Sequence, residues 1–189
     1  MPAADRLALD ELALAMRGCT ACPELAATRQ QVVVGSTPPS ARLLVVGEAP
    51  GAQEDTTGVP FVGRSGQLLD RLLAEAGLPR TEVAVLNTVK CRPPGNRLPT
   101  RRETTTCRPW TERQLELLLP TLVVTLGLSA TSWFLGRTAL APVRGRVHDV
   151  GGLRVLPSYH PAAALRGGPQ GEPMRLLRGD LALAAGLVR

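Results

Sequence analysis

A mainly parallel α/β sheet with helices on both faces is the fold class this sequence predicts. Two observations carry it: short runs of β-branched and leucine residues alternate with helical stretches, and three polar clusters each follow one of those runs. In such sheets ligands bind at the carboxyl ends of the strands, so the clusters also predict where a site should lie. A chain of 189 residues, 44% hydrophobic, falls in the size range of one compact α/β domain, and its glycines (19) and prolines (17) are scattered instead of gathered into a linker. Residues 1–189 are therefore expected to form a single domain without internal repeats.

Leu7, Leu9, Leu12, Leu14 and Met16 keep roughly one apolar face of a first helix, with Asp5 as its expected cap, and this helix delivers the chain into Cys19 and Cys22. Residues 32–34 and 42–46 are apolar runs bounded by glycine and proline, the pattern of buried strands, and the second ends in Gly47-Glu48-Ala49-Pro50-Gly51. Ser65 is expected to cap a helix through Ala76, with Leu68, Leu69, Leu72 and Leu73 on its buried face and Gly77 as its stop. Residues 83–87 form the next strand. Thr100 and Glu103 stand at capping-box spacing and open a helix toward Leu119; residues 122–126 return as a strand and 129–135 as a helix. A short strand over 154–157 ends near Ser158-Tyr159-His160-Pro161, and a last helix covers about 173–185. The polar clusters are 47–55, 87–92 and 159–166.

The formal net charge is +6, and Lys90 is the only lysine among the basic residues. Guanidinium groups suit bidentate contacts to phosphate oxygens, so a polyanion is a natural partner; a coding bias that swaps lysine for arginine explains the same excess as a solvated surface. Asp5, Asp10 and Glu11 interrupt the leucines of residues 1–18, against a secretory signal. Residues 115–136, the most apolar stretch, are broken by Glu116, Pro120 and Gly127, against a membrane span. The expectation is a cytoplasmic protein with no membrane segment.

The cysteines occur as Cys19-x2-Cys22 and Cys91-x15-Cys107, too few and too widely spread for a disulfide framework in a chain of this size. A metal centre is the better reading. Zinc sites usually pair two tight knuckles, whereas the long second spacing suits a cubane cluster whose ligands come from separate segments. Iron-sulfur is favoured over zinc, both being all-thiolate options, and buried unligated thiols are the plain alternative.

The segments Gly47-Glu48-Ala49-Pro50-Gly51, Glu54-Asp55, Gly58-Val59-Pro60-Phe61-Val62-Gly63, Asn87-Thr88-Val89-Lys90-Cys91-Arg92-Pro93 and His160-Pro161-Ala162-Ala163 resemble the family 4 uracil-DNA glycosylases. The likeness runs from Cys19 to about Arg166, with all four cysteines in place. It implies a three-layer α/β/α domain around a four-stranded parallel sheet and a 4Fe-4S cluster on Cys19, Cys22, Cys91 and Cys107. It also implies hydrolysis of the N-glycosidic bond of uracil in single- or double-stranded DNA. A monomer associated with the nucleoid is expected.

Such an enzyme must extrude the nucleotide, enclose its base and stabilise the charge that appears as the bond breaks. Cleavage leaves a cationic sugar and a uracil anion, and by resemblance His160 is the donor held against the 2-carbonyl oxygen. It precedes a proline at a strand end, while His148, the other histidine, reads as a structural residue. Asn87, also at a strand end, can accept from the ring N–H and donate to the 4-carbonyl, a pairing that cytosine presents in reverse. Phe61 is expected to stack on the flipped base, a core phenylalanine being the alternative.

Glu48 is a candidate for orienting the attacking water, with the backbone at Glu48 and Ala49 facing the 2-carbonyl. Better-known uracil glycosylases place an aspartate where this chain has Ala49, so leaving-group stabilisation is expected to carry most of the catalysis. Glu54 and Asn96 are expected to hydrogen-bond each other and order the loop over the pocket. Glu54 is also expected to crowd the base's 5-position, since Gly51 stands where other families use a tyrosine. Residues 162–166 are expected in the minor groove, with Leu165 as apolar wedge and Arg166 on phosphate; Ala164 is the alternative register. Arg92, Arg97, Arg101, Arg102 and Arg108 surround the second cysteine pair and are expected to shape a basic, DNA-facing loop.

Three other functions compete. A related group of uracil-DNA binders traps its product through a histidine in an inserted loop, but no histidine lies between Asn87 and Cys107, so turnover is expected. An iron-sulfur or zinc DNA-binding module without catalysis is the second. A nucleotide-binding Rossmann domain is opposed by the first motif, which lacks the G-x-G-x-x-G order and seats Pro50 where helix amides would be needed.

Overall fold

The computed structural model describes residues 2–137 and 139–188; Met1, Thr138 and Arg189, which the expected domain includes, lie outside the described residues. Strands Leu43–Gly47 (β1), Val83–Asn87 (β2) and Leu122–Leu126 (β3) are buried at every position, which requires cover on both faces of their sheet. With His148–Val150 (β4) and Leu153–Ser158 (β5) they form one sheet in the order β2-β1-β3-β5-β4. β1, β2, β3 and β5 are mutually parallel, and β4 pairs antiparallel with β5.

The mainly parallel architecture is therefore the expected one, with five strands in place of four. The added edge strand returns through Gly151 and Gly152, whose φ of 62° and 84° give the left-handed pair that a tight hairpin requires. No apolar run marked it, because its three residues are half-buried or exposed.

The helices are Ala3–Arg17 (α1), Pro23–Thr28 (α2), Ala52–Thr57 (α3), Arg64–Glu75 (α4), Arg101–Leu118 (α5), Leu128–Leu135 (α6), Pro161–Gly167 (α7) and Glu172–Val188 (α8). Alternation along the strands sorts the core into two layers. Leu43 and Val45 face the side packed by Leu69 and Leu73 of α4 and by Leu177 and Leu181 of α8. Leu44 and Val46 face the side packed by Leu9 of α1, Leu118 of α5 and Ala130 of α6. Leu69 and Leu73 are wholly buried, and each such side chain contributes roughly 1.5 to 3 kcal/mol.

Several local expectations are corrected. α1 begins at Ala3 after Pro2, so Asp5 lies inside the first turn, where its charge still favours the helix N-terminus. α4 starts from Gly63, which places Ser65 within the helix and not at its cap. Residues 32–34 are not a sheet strand: the Val33 N–H donates to the Lys90 carbonyl at 2.8 Å and Ser36 bridges Val85. That segment covers the β2 edge of the sheet, which protects unpaired backbone groups. The capping box at α5 is as expected, with Glu103 N–H donating to Thr100 Oγ1 at 3.2 Å and Thr100 N–H to Glu103 Oε2 at 2.7 Å. Among the described residues no helix is long and apolar enough to cross a membrane.

Candidate active site

The carboxyl ends of the parallel strands open on a cavity of about 640 Å³. Glu48, Ala49 and Glu54 line it after β1, Asn87 at the end of β2 and Asn96 beyond it, and His160 and Arg166 after β5, with Phe61 alongside. The β1–β2 register sets Gly47 level with Asn87, and the β3–β5 register sets Leu126 level with Ser158, so three separate polar clusters arrive at one depth.

Gly47 determines how closely two of these residues approach. A Cβ there would lie 2.5 Å from both Asn87 Oδ1 and Phe61 Cζ, so only glycine lets the amide and the ring pack against the strand end. Asn87 is 2% exposed, and among the described residues its buried Oδ1 has no hydrogen-bond partner. The Asn87 backbone carbonyl accepts from the fully buried ammonium of Lys90 at 2.7 Å, a contact that no sequence pattern signals. Burial depresses the Lys90 pKa to about 8, the Cys107 sulfur opposing that shift. Phe61 has a φ of 56°, rare for a non-glycine residue, and its carbonyl occupies the space that a Cβ on Gly66 would need. Its ring centroid stands 5.8 Å from that of His160, the planes tilted by 35°.

His160 is the N-cap of α7, and its Nδ1 accepts from the Ala162 N–H at 3.1 Å. Accepting at Nδ1 leaves the proton of the neutral ring on Nε2. Burial, with the Arg166 charge acting in the same sense and Glu54 opposing, lowers the His160 pKa from 6.5 to about 4, so the ring is neutral near pH 7. His148 instead bonds the Val143 carbonyl at 2.8 Å through Nε2, the structural role expected of it.

The expected bond between Glu54 and Asn96 is not formed. Glu54 Oε1 accepts from the Val62 and Gly63 amides, each at 2.9 Å, and Oε2 from the Gly51 amide at 3.1 Å. Asn96 Oδ1 accepts from Arg92 Nε at 2.7 Å. The loop is ordered by a carboxylate, as expected, but through backbone donors, whose three bonds need no second side chain. A Cβ on Gly51 would meet Glu54 Oε2 at 2.8 Å, so the carboxylate fills the space that a larger residue at 51 would take.

On α7, Ala164 is wholly buried, Leu165 is half-buried with part of its side chain packed on the core, and Arg166 is exposed on the cavity wall. Leu98, 70% exposed, and Leu128, 41% exposed, do stand at the cavity, and no sequence pattern separates such leucines from core ones. Arg97 beside them is fixed by Glu103 at 2.7 Å and Glu24 at 3.2 Å, and the Arg97 bond, helped by the Thr100 amide and hydroxyl against burial, holds Glu103 down to a pKa of about 2. Arg108 pairs with Glu112 at 3.2 Å, so the arginines expected as a free basic loop are partly neutralised.

The four cysteines border a separate small cavity, with Met16, Leu25, Val32, Val89 and Trp110 forming its apolar wall. Cys19 follows α1, Cys22 caps α2, Cys91 follows β2 and Cys107 lies on α5. Arg29 donates to Cys91 Sγ at 3.1 Å and the Lys90 amide to Cys107 Sγ at 3.3 Å. Burial pushes the Cys107 thiol up to about 11, Lys90 opposing, and raises Cys91 and Cys22 as well. Among the described residues no group of three or more His, Cys, Asp or Glu side chains forms a ready site for a single metal ion.

The sequence family described as the uracil DNA glycosylase superfamily matches residues 34–181. A type-4 uracil-DNA glycosylase of Thermotoga maritima is 41% identical over 177 residues, covering 92% of this chain and 91% of that protein. One from Saccharolobus solfataricus is 40% identical over 85% of this chain and 79% of its own length. A type-5 uracil-DNA glycosylase of Pyrobaculum aerophilum is 33% identical over 81% and 82% respectively.

Proposed function

The chain belongs to the uracil DNA glycosylase superfamily and, within it, to the type-4 uracil-DNA glycosylases, and from that membership we propose that it excises uracil from DNA, hydrolysing the N-glycosidic bond and leaving an abasic site. The observation that carries this reading is the unpartnered, buried Oδ1 of Asn87 in the same cavity as the neutral imidazole of His160. A buried acceptor without a donor costs about 1 to 3 kcal/mol, and the ring N–H of uracil is a donor that relieves it.

In the proposed pathway the extruded base lies against Phe61, with the Asn87 amide reading its N–H and 4-carbonyl edge. His160 Nε2–H donates to the 2-carbonyl oxygen. That bond strengthens as negative charge gathers on the leaving uracil, which is where a donor lowers the barrier. A neutral donor suits this step, because its hydrogen bond is already aimed before the charge appears. Glu48 stands where a carboxylate would orient the water, while the Ala49 backbone faces the base. Glu54 holds the Phe61 loop and narrows the space beside the 5-position, and Asn96 with Arg92 braces the opposite rim. α7 meets the minor groove with Arg166 on phosphate, and Leu165 contributes only its outward edge as a wedge.

The type-4 family typically carries a 4Fe-4S cluster, and the donor set fits one: four thiols from three separate segments border one apolar cavity, with Arg29 and the Lys90 amide directed at sulfur. Cys19, Cys22, Cys91 and Cys107 would hold it, and it would cross-link the end of α1, α5 and the loop after β2. We read residues 1–189 as one unit acting on uracil-containing DNA. Incubating the protein with a single-uracil oligonucleotide, followed by alkali, tests the proposal. Strand cleavage by the wild type, lost in His160→Ala and Asn87→Ala, is expected, and intact strands from the wild type end it.

A further inference from the structure

Asp180 stands among apolar residues on the buried face of α8 and is 5% exposed. Three bonds converge on its carboxylate. Ser158 Oγ donates to Oδ2 at 2.6 Å, and Arg144 Nη1 donates to Oδ1 at 3.0 Å and to Oδ2 at 2.9 Å. Ser158, wholly buried, is the last residue of β5, and Arg144 lies in the turn that precedes β4. That turn is itself tied to β5, since the Gly145 N–H donates to the Pro157 carbonyl at 2.9 Å. The Arg144 guanidinium also stands 5.9 Å from the centroid of the Tyr159 ring. The ion pair therefore reaches the two residues that run directly into His160, residue 158 through its hydroxyl and residue 159 through its ring. From β3, the Gly127 N–H donates to the Ser158 carbonyl at 2.9 Å, and a Cβ on Gly127 would lie 3.1 Å from the His160 Cβ. The strand end that carries His160 is thus held both from β3 and from α8.

Stability is a weak reason for this arrangement. Taking a carboxylate and a guanidinium out of water offsets most of their attraction, and apolar side chains of similar volume commonly serve as well or better. What the network adds is direction: a hydroxyl bonded at 2.6 Å favours one Ser158 rotamer and one position of the strand end. A donor that must meet a developing charge is sensitive to a displacement of about 1 Å. Resting on the uracil-excision reading above, we infer that Asp180, with Ser158 and Arg144, positions the catalytic imidazole. The network fixes the end of β5 so that His160 Nε2–H is aimed where the 2-carbonyl oxygen binds. None of the three lines the base cavity, so they act through His160.

Two sets of substitutions separate positioning from stability. Ser158→Ala removes the hydroxyl and leaves the Arg144–Asp180 pair. A triple variant, Ser158→Ala with Arg144→Met and Asp180→Leu, exchanges the whole network for apolar packing. Arg178→Gln is the control, since Arg178 lies on the same helix in an exposed pair with Glu75 of α4 at 2.8 Å. Long-range proton–nitrogen NMR of the free protein reads the His160 ring without DNA, its signals being identified by their loss in His160→Gln. Those signals are expected to shift and broaden in Ser158→Ala and in the triple variant, and to stay in place in Arg178→Gln. On a single-uracil oligonucleotide kcat should fall about tenfold in Ser158→Ala and further in the triple variant, with KM held within about twofold. The melting temperature of the triple variant should hold or rise all the same. Unmoved His160 signals in Ser158→Ala overturn the inference, and so does a loss of kcat that follows the loss of melting temperature from variant to variant. Should the triple variant fail to fold, Ser158→Ala decides alone. Shifted signals with no uracil release by the wild type end the glycosylase reading and leave the network standing. Uracil release with unmoved signals removes only the network.

Discussion

The backbone N–H of Ala162 donates to Nδ1 of His160, at 3.1 Å, so the residue that caps α7 is also the residue facing the cavity. Helix formation and tautomer choice are one event here. The helix N-terminus needs an acceptor, the imidazole supplies Nδ1, and the remaining proton is left on Nε2.

Protonating His160 therefore breaks a cap as well as burying a charge beside Arg166, with only Glu54 compensating. The pKa is lowered from 6.5 to about 4, so the unfolded chain binds the extra proton between those values. The stability contributed by the neutral ring is fully present above pH 6.5 and is lost as the pH falls toward 4, about 3 kcal/mol over that window. Urea denaturation of wild type and His160→Gln at pH 7 and pH 4.5 checks it. The wild type should lose stability relative to the variant at the lower pH, and a pH-independent difference would sink the assignment.

Asn87→Ala should separate function from stability. Loss of the amide is expected to lower kcat/KM for uracil release about ten- to hundredfold, the effect of one base-reading pair. The same substitution removes a buried acceptor that has no partner in the folded protein, so the melting temperature should hold or rise. A fall of several degrees alongside the lost activity would mean that Asn87 is chiefly a structural residue.

Glu54→Gln tests the loop over the base. The carboxylate accepts from three amides, and the substituted amide group turns an NH2 toward either the Gly51 N–H or the Val62 and Gly63 N–H groups. Charge-assisted bonds to backbone donors are worth about 1.5 to 3 kcal/mol each. Hydrogen exchange at Val62 and Gly63 is expected to quicken about tenfold or more while strand amides keep their protection. Unchanged exchange there would show that packing around Phe61, and not Glu54, orders the segment.

Much of this site was legible in the residue order because strands announce themselves by buried runs and clusters follow strand ends. The helix at Thr100 was equally plain, since a capping box is a local chemical pattern. What escaped was whatever depends on tertiary partners. α2 and α3, six residues each, carry no apolar period that would mark them. Residues 32–34 have strand composition but meet the β2 edge only through isolated bonds. Glu54 and Asn96 were correctly drawn to one cavity and incorrectly paired, because backbone amides leave no trace in a sequence. Lys90 stands out in the sequence as the lone lysine and as one position of the segment Asn87 to Pro93, but no local pattern signals an ammonium buried against the Asn87 backbone carbonyl.

The cysteine cavity makes an independent prediction. Cys91 and Cys107 are buried in a largely apolar cavity, which opposes free thiolates, while Arg29 and the Lys90 amide donate to their sulfurs, which suits sulfurs whose charge a metal shares. As-purified protein should absorb in the visible charge-transfer region and contain iron, and Cys107→Ser should bleach that absorbance and lower the melting temperature. A colourless wild type containing zinc would replace the iron-sulfur assignment, and one containing neither metal would remove it.

Gly47→Ala is the sharpest geometric test of the pocket. The methyl carbon would sit 2.5 Å from Asn87 Oδ1 and 2.5 Å from Phe61 Cζ, distances that real Cβ atoms do not tolerate. Something must move, and the backbone is the least able to, because the Gly47 carbonyl accepts the Thr88 amide at 3.0 Å within the β1–β2 pairing. The ring and the amide are the parts that yield, and they are the two groups proposed to floor and read the base. The fold should survive with a penalty of about 1 to 3 kcal/mol, typical of overpacking. Uracil release should fall by at least as much as in Asn87→Ala, since both contacts are displaced together. Free uracil should also protect the wild type against thermal unfolding and fail to protect the variant. Full activity in Gly47→Ala would mean that the base does not approach the end of β1, and the cavity would need another occupant.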